Sequence, residues 1–292
     1  MVNDVTAEAT SNQFLMLELD GLPIHNLTDD VLGGLSFEVI ALKNMSNLRH
    51  IMPNAFDSSS KRLRQLSFEY DTSHYVTETN LQQIGLLLER LPSLVHLYID
   101  AYHLKHIPKH VFDHQTLEDL SFNYNRVKRG QITDIDSEAF YYMPNLRTID
   151  LYEQSIKRLK EKMLTFKNDN NDRPKLGLFL QSNFITSDSI DINLFRTLKR
   201  QLVVYIGQNH ITYLNQNVFE PFFNQNDNNM IDLGENQLRM DCKNRWITML
   251  DRRYEQVISG TVYIGKDNDS RVLVALEYSD YEPLQCDTTI KL

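Results

Sequence analysis

One nine-residue pattern recurs along almost the whole chain and limits its possible folds more than any other feature. The pattern is Leu-x-x-Leu-x-Leu-x-x-Asn with an apolar residue two positions later, and it is clearest between Leu117 and Val127. Nine copies align, with first positions at Phe14, Phe37, Leu63, Leu94, Leu117, Leu146, Lys175, Gln201 and Asn228. Successive copies lie 23 to 31 residues apart. Each unit can therefore contact only its neighbours, and we expect one elongated array.

The pattern itself predicts the local structure of each unit. Positions 4 and 6 are apolar and alternate with the strand period of two, so they should point into a core. Position 9 favours Asn because a side-chain amide can satisfy backbone groups where the chain leaves the sheet. The sequence predicts a ladder of stacked amides in the second half of the array, formed by Asn125, Asn183, Asn209 and Asn236.

The segments between the copies carry the variation in length. Residues 79–90 have apolar residues at helical spacing, which predicts one long helix on the convex side and explains the 31-residue unit. Residues 167–175 and 224–229 are polar and are expected to form mobile surface loops.

The repeated pattern resembles that of leucine-rich repeat proteins, and the sequence after the last copy resembles the C-terminal cap of their extracellular members. Cys242 and Trp246 stand where that cap has its second cysteine and its tryptophan, whereas Met240 replaces the first cysteine. The resemblance implies a disulfide between Cys242 and Cys286 and a secreted protein. Two free, buried cysteines in a reducing compartment are the alternative.

The resemblance implies an α/β fold, a leucine-rich repeat solenoid shaped as a horseshoe. The parallel β-sheet should line the concave face, with short helices and turns on the convex side. We expect a polar segment over residues 1–13, repeats over 14–238 and a cap over 239–292. The irregular first repeats and the reduced cap also resemble secreted arthropod proteins similar to the non-catalytic subunit of oplophorus-luciferin 2-monooxygenase. That likeness implies a non-enzymatic partner protein.

Composition narrows the classes of partner. The net charge of −9 disfavours nucleic acid and anionic membranes, which need a basic surface, and suits a neutral or basic protein partner. No apolar run is long enough for a transmembrane segment, and residues 1–12 contain no secretory signal. Secretion is therefore inferred from the cap and the cysteine pair. Three glycosylation sequons agree with it, at Asn26, Asn44 and Asn268.

The outward positions of the predicted sheet combine tyrosines with carboxylates, a composition typical of protein-binding faces. Tyrosine offers rigid contact area with a polar tip, and carboxylates attract a basic partner. A merely solvated sheet with cross-strand packing is the alternative. The predicted binding residues are Tyr70, Tyr98, Asp100, Asp119, Tyr124, Asp150, Tyr152, Glu153, Phe179, Tyr205 and Asp232.

Five of the nine histidines lie between His96 and His114. His106, His110 and His114 have the spacing of metal ligands on a helix, but Pro108 argues against a continuous helix. We expect no metal site here. An exposed loop is favoured over a metal site and over a patch that charges near pH 6.

The sequence contains no catalytic motif that we could identify, so no enzyme activity and no cofactor are expected. The predicted function is binding of a protein partner through the concave face. The alternative is an accessory, non-catalytic subunit or scaffold that stabilises an extracellular enzyme.

Overall fold

The computed structural model describes residues 12–239, 242–249, 258–259, 261–264 and 269–272. Its strands, in chain order, are β1 Gln13–Asp20, β2 Asn26–Leu27, β3 Ser36–Lys43, β4 His50–Ile51, β5 Gln65–Glu69, β6 His96–Ile99, β7 His106–Ile107, β8 Asp119–Ser121, β9 Asp134–Ile135, β10 Thr148–Asp150, β11 Leu176–Phe179, β12 Leu202–Tyr205, β13 Met230–Asp232, β14 Leu238–Arg239, β15 Ile258–Ser259, β16 Thr261–Ile264 and β17 Asp269–Val272. The helices are α1 Glu78–Glu89 and α2 Gln216–Gln225, with 3₁₀ turns at Asp57–Ser59, Tyr70–His74, Ser187–Ser189 and Arg245–Met249.

Ten of these strands form one parallel sheet whose spatial order follows the sequence, β1-β3-β5-β6-β8-β10-β11-β12-β13-β15. All nine predicted units supply a strand. The register is constant, since equivalent pattern positions pair throughout: Phe14 pairs with Phe37, Tyr98 with Ser121 and Tyr205 with Asp232. This arrangement confirms the predicted α/β leucine-rich repeat solenoid. The tenth strand, β15, lies within the segment predicted as the cap.

The core runs the length of the array behind the sheet. From β3 onward, both inward positions of every predicted unit are at most 1% exposed, as in Ile40 and Leu42 or Leu178 and Leu180. The burial of each such side chain stabilises the fold by roughly 1.5–3 kcal/mol before entropy costs. In β1 the equivalent Leu17 is only partly buried, because no repeat covers that end within the described residues.

The amide ladder is present but differs in membership from the prediction. Asn183, Asn209 and Asn236 are buried, and each donates to backbone carbonyls of its own turn and of the preceding repeat. Gln154 extends the ladder, because its amide donates to Phe122 O and accepts from Ile132 N.

Asn125 does not belong to the ladder, which corrects the prediction. Its side chain donates instead to the carboxylates of Asp100 and Glu69 on the sheet side. Asn244, beyond the last predicted copy, adopts the ladder's pattern by donating to Thr212 O and Arg239 O and accepting from Leu214 N.

The predicted long convex helix is confirmed as α1. Thr77 caps its N-terminus by accepting from the backbone N–H of Asn80. The helix buries Leu81, Ile84 and Leu88 at helical spacing. Helix α2 packs its aromatic side against the neighbouring repeat, where the Phe222 and Phe195 ring centroids lie 4.7 Å apart.

The two segments predicted as mobile loops are anchored. In the first, Asp169 forms an ion pair with Arg200, and side-chain exposures are 4% and 0%. In the second, Asn229 is buried, accepts from Leu202 N and donates to Phe222 O. Most residues of both segments are exposed, as predicted for surface loops, and their mobility stays a prediction. Composition did not reveal the single polar side chains that reach the core.

The beginning of the cap packs on the last repeat. Trp246 is 7% exposed, and its indole N–H donates to Leu214 O at 2.9 Å. Cys242 is described, but Cys286 and Asn268 lie outside the described residues, as does most of the predicted 1–13 segment. The disulfide and the domain boundaries remain predictions. No helix in the described part of the chain is both long and apolar enough to cross a bilayer.

Candidate functional site

The constant register aligns the outward side chains of the sheet in rows that cross the strands. The fifth pattern position forms the central row of the concave face. From β1 to β13 this row reads Glu18, Ala41, Ser67, Tyr98, Ser121, Asp150, Phe179, Tyr205 and Asp232. Five of the predicted binding residues therefore stand on one line. Because neighbouring strands are about 4.8 Å apart, each lies next to the following residue of the row.

Tyr98 and Tyr124 form the first aromatic pair of this face. Their ring centroids are 4.3 Å apart and the planes differ by 1°, while Tyr124 is 42% exposed. Burial, then the charge of Asp119 and the neighbouring Tyr124, raise the pKa of Tyr98 above its usual value. Its phenol therefore remains a hydrogen-bond donor at neutral pH. Nδ1 of His96 and Oδ2 of Asp119 are hydrogen-bonded at 2.7 Å.

Phe179 and Tyr205 form the second pair, with ring centroids 4.6 Å apart and planes 11° apart. Along the central row this pair lies between Asp150 and Asp232. The backbone beside it is closely packed, since a Cβ on Gly207 would approach Gly234 O to 2.6 Å. The result is a flat aromatic surface with a carboxylate at each end.

Tyr152 is covered by a residue that the sequence reasoning missed. The guanidinium of Arg126 lies 4.4 Å from the Tyr152 ring centroid and 3.9 Å from a carboxylate oxygen of Asp150. Asp150 also accepts from Ser121 Oγ and Tyr152 N. Glu153 follows at the strand end with a positive φ of 55°. Arg126 has a left-handed backbone conformation, with a φ of 52°. No residue type or motif in the sequence indicated this conformation.

The prediction that Asp100 contacts a partner is corrected, because its side chain is fully buried. It accepts hydrogen bonds from the backbone N–H groups of Tyr70 and Asn125 and from the Asn125 amide. Glu69, 5% exposed, accepts from Ser67 Oγ beside it. These two acids hold the turns at the ends of β5 and β6 together, and Tyr70, 36% exposed, remains on the surface above them.

The clustered histidines do not share one site. His96 lies on the concave face, His103 stacks on His74 at 4.2 Å, and His106 and His110 contact carboxylates of the next repeat. His114 is 3% exposed and its Nε2 lies 2.9 Å from Leu91 O. The expectation of one exposed loop is therefore corrected at His114, whose burial follows from its contact with the preceding repeat.

His114 makes the stability of the fold depend on pH. Burial lowers its pKa below 6.5, although the Leu91 carbonyl and Asp113 oppose the shift. Below pH 6.5 His114 binds a proton in the unfolded chain but stays neutral in the native state. Acidification therefore lowers the free energy of unfolding until the pH reaches the native pKa of His114.

We expect His114→Gln, which keeps a donor for Leu91 O, to lose less stability between pH 7 and pH 5 than the unmodified chain. Urea unfolding at several pH values measures the difference. Parallel pH profiles for the two proteins would contradict a neutral, buried His114.

The model of the BspA type Leucine rich repeat region matches the chain in six copies, over residues 36–171 and 89–224. These ranges together span 36–224, more than half of the 292 residues. No curated protein matches the sequence, so the likeness to the luciferase subunit is not confirmed.

Among the solved structures that resemble the chain, two illustrate the likeness. One is human trophoblast glycoprotein, also named Wnt-activated inhibitory factor 1, with 15% identity over 91% of this chain and 87% of that chain and a TM-score of 0.48. The other belongs to the octameric complex of Latrophilin 3, Unc5D and the leucine-rich repeats of FLRT2, with 16% identity over 93% and 83% and a TM-score of 0.52. The second likeness agrees with the solenoid fold. By its matched repeats, the chain belongs to the BspA-type leucine-rich repeat family.

Proposed function

We propose that this chain is a non-enzymatic, secreted module that binds a protein partner through the concave face of its sheet. The observation that carries the proposal is the pair of stacked aromatic groups on that face, Tyr98–Tyr124 and Phe179–Tyr205. Large aromatic side chains that remain partly exposed on a rigid sheet provide contact area at low entropic cost. Leucine-rich repeat chains also occur in protein complexes such as that of FLRT2.

The charge of the face favours a basic partner. Carboxylates of Asp119, Asp150 and Asp232 stand beside the aromatic pairs, and the chain carries a net charge of −9. Lysine or arginine side chains can pair with these acids and lie on the aromatic rings. Arg126, which already stacks on Tyr152, displays that geometry within the chain itself.

Secretion is supported by the cap and by the sequons. Trp246 and Cys242 match the extracellular cap, and Trp246 is buried on the last repeat as a capping residue would be. Asn26 is exposed and available for a glycan. Asn44 is half-buried at the end of β3, and its amide donates to Asp20 at 2.8 Å.

The proposal is tested by truncating the aromatic pairs. We expect Tyr98→Ala/Tyr124→Ala and Phe179→Ala/Tyr205→Ala each to weaken partner capture by about tenfold or more, the loss typical of central interface residues. The matched control is Leu86→Ala/Ile192→Ala, which removes side chains that are 51% and 59% exposed and lie outside the sheet. Cross-linked complexes from extracellular fluid of the source would be quantified by mass spectrometry.

Circular dichroism of each variant establishes that the fold is intact. Capture that is unchanged in both aromatic variants, or equally reduced in the control, would place binding elsewhere. Loss of capture with rising salt would support the basic partner. An enzyme recovered in equal amount with the chain would identify the accessory-subunit form of this function.

A further inference from the structure

A histidine and two aspartates meet on the return side of the array, away from the concave sheet. Strands β7 and β9 pair in parallel, and His106 pairs with Asp134. Asp136 lies two residues further, so the strand period places it on the same side as Asp134. The backbone therefore presents one imidazole and two carboxylates together, from repeats four and five.

The donor atoms have the separations of a metal-ligand set. One atom from each of His106, Asp134 and Asp136 lies within 4.8 Å of the others, and these are the one such group among the described residues. Nε2 of His106 is 3.1 Å from Asp136 Oδ1 and 3.9 Å from Asp134 Oδ2. Ligands bound at about 2.0–2.2 Å to one ion lie about 3–3.5 Å apart. The two His106 distances differ from that range by less than about 1 Å, and a pair at the 4.8 Å limit would have to approach by about 1.3–1.8 Å.

The state of His106 Nε2 points to a cation between the ligands. The atom is buried and forms no hydrogen bond, although a carboxylate oxygen is 3.1 Å away. Ligand atoms around one metal ion are directed at the ion and not at each other. Their mutual distances are therefore short, while the angles between them do not suit a hydrogen bond.

The second carboxylate oxygen of Asp136 is held in place. It accepts the backbone N–H of Lys109 at 3.2 Å, which leaves Oδ1 directed at His106. Such support of a ligating carboxylate is usual around metals.

Lys160, from repeat six, balances the acids when no metal is bound. Its Nζ lies 2.6 Å from Asp134 Oδ1 and 3.5 Å from Asp136 Oδ1. The ammonium stands on a flexible stem and is 32% exposed, so it can move into solvent. Lys160 therefore competes with any cation for the same oxygens.

We propose that His106, Asp134 and Asp136 bind a divalent transition-metal ion of the zinc type and thereby join repeats four and five. An imidazole with two carboxylates suits Zn²⁺, Co²⁺ or Ni²⁺ better than Ca²⁺ or Mg²⁺, which take oxygen ligands. Three protein ligands leave further positions to water. Of the histidine trio that the sequence offered, only His106 takes part, because His110 contacts Glu138 and His114 is buried against Leu91.

Zinc titration of the full chain by calorimetry, with thermal unfolding in parallel, tests the site. We expect one saturable site and a higher melting temperature with zinc. His106→Gln should weaken binding by about 100-fold or more. Lys160→Gln should strengthen it by about tenfold, because a competing charge is removed. His210→Gln, an exposed histidine outside the site, is the control and should bind as the unmodified chain does.

The Lys160 variant separates the proposal from a simple ion-pair network. Such a network predicts lower stability for Lys160→Gln with no gain in zinc affinity, and that result would overturn the proposal. Equal zinc binding by His106→Gln and the unmodified chain would overturn it as well, since the zinc would then sit on other surface histidines. Circular dichroism without metal controls for folding of each variant.

Discussion

Asp169→Ala is expected to lower the free energy of unfolding by about 3–5 kcal/mol, because it leaves the buried Arg200 charge without its partner. The Arg200 guanidinium is fully buried, lies 4.6 Å from the Phe166 ring centroid and donates to Leu146 O and Pro144 O. Burial lowers the pKa of Arg200, and the contact with Asp169 opposes that shift. The carboxylate also accepts from the backbone N–H of Lys199.

Urea unfolding followed by circular dichroism measures this loss. Asp172→Ala is the matched control, since it removes a carboxylate that is exposed in the same loop, and it should change stability by less than about 0.5 kcal/mol. Equal stability of the two variants would mean that Asp169 is solvated in solution and that the loop is as mobile as its composition suggests.

Asn209→Ala is expected to cost about 3 kcal/mol, the second-largest effect. The amide of Asn209 donates to Leu180 O, Ile206 O and Gly207 O, and its oxygen accepts from Ile185 N, all in buried surroundings. Alanine would leave these groups without partners on both sides of a repeat junction.

The single tryptophan, Trp246, reports on this end of the array through its fluorescence. We expect Asn209→Ala to lower the urea midpoint of the Trp246 signal. The adjacent Gln208→Ala truncates an exposed amide that bonds Glu235 at the surface and should leave the midpoint nearly unchanged. If both variants shift it equally, the ladder contributes nothing beyond ordinary surface contacts.

The sheet could be predicted from sequence because its rule is local. Apolar residues at positions 4 and 6 fix one strand per unit, and all nine predicted strands pair in the expected register. The ladder could be predicted only where Asn stands at position 9 of a regular turn. The prediction was wrong at Asn125, because its side-chain amide donates to the buried carboxylates of Asp100 and Glu69 and not to backbone carbonyls of the turn.

Contacts between repeats resisted prediction for a physical reason. Return segments differ in length, so the residue opposite a given side chain in the next repeat is not at a fixed offset. His106 meets Asp134 and Asp136, and Asp169 meets Arg200, across such variable returns. In the concave row each side chain instead occupies the same position of the nine-residue pattern, so the tyrosine and carboxylate positions could be predicted directly from the sequence, although their burial could not.

The constant register also bears on the shape that a partner can take. Outward side chains repeat about every 4.8 Å across the strands. An α-helix advances 5.4 Å per turn, whereas an extended chain shows one face about every 6.7 Å. Over the four steps from Tyr98 to Tyr205, a helix laid across the strands drifts by about 2.4 Å, half a step, and an extended segment drifts by more than a full step. Geometry alone thus matches one helical turn to one repeat.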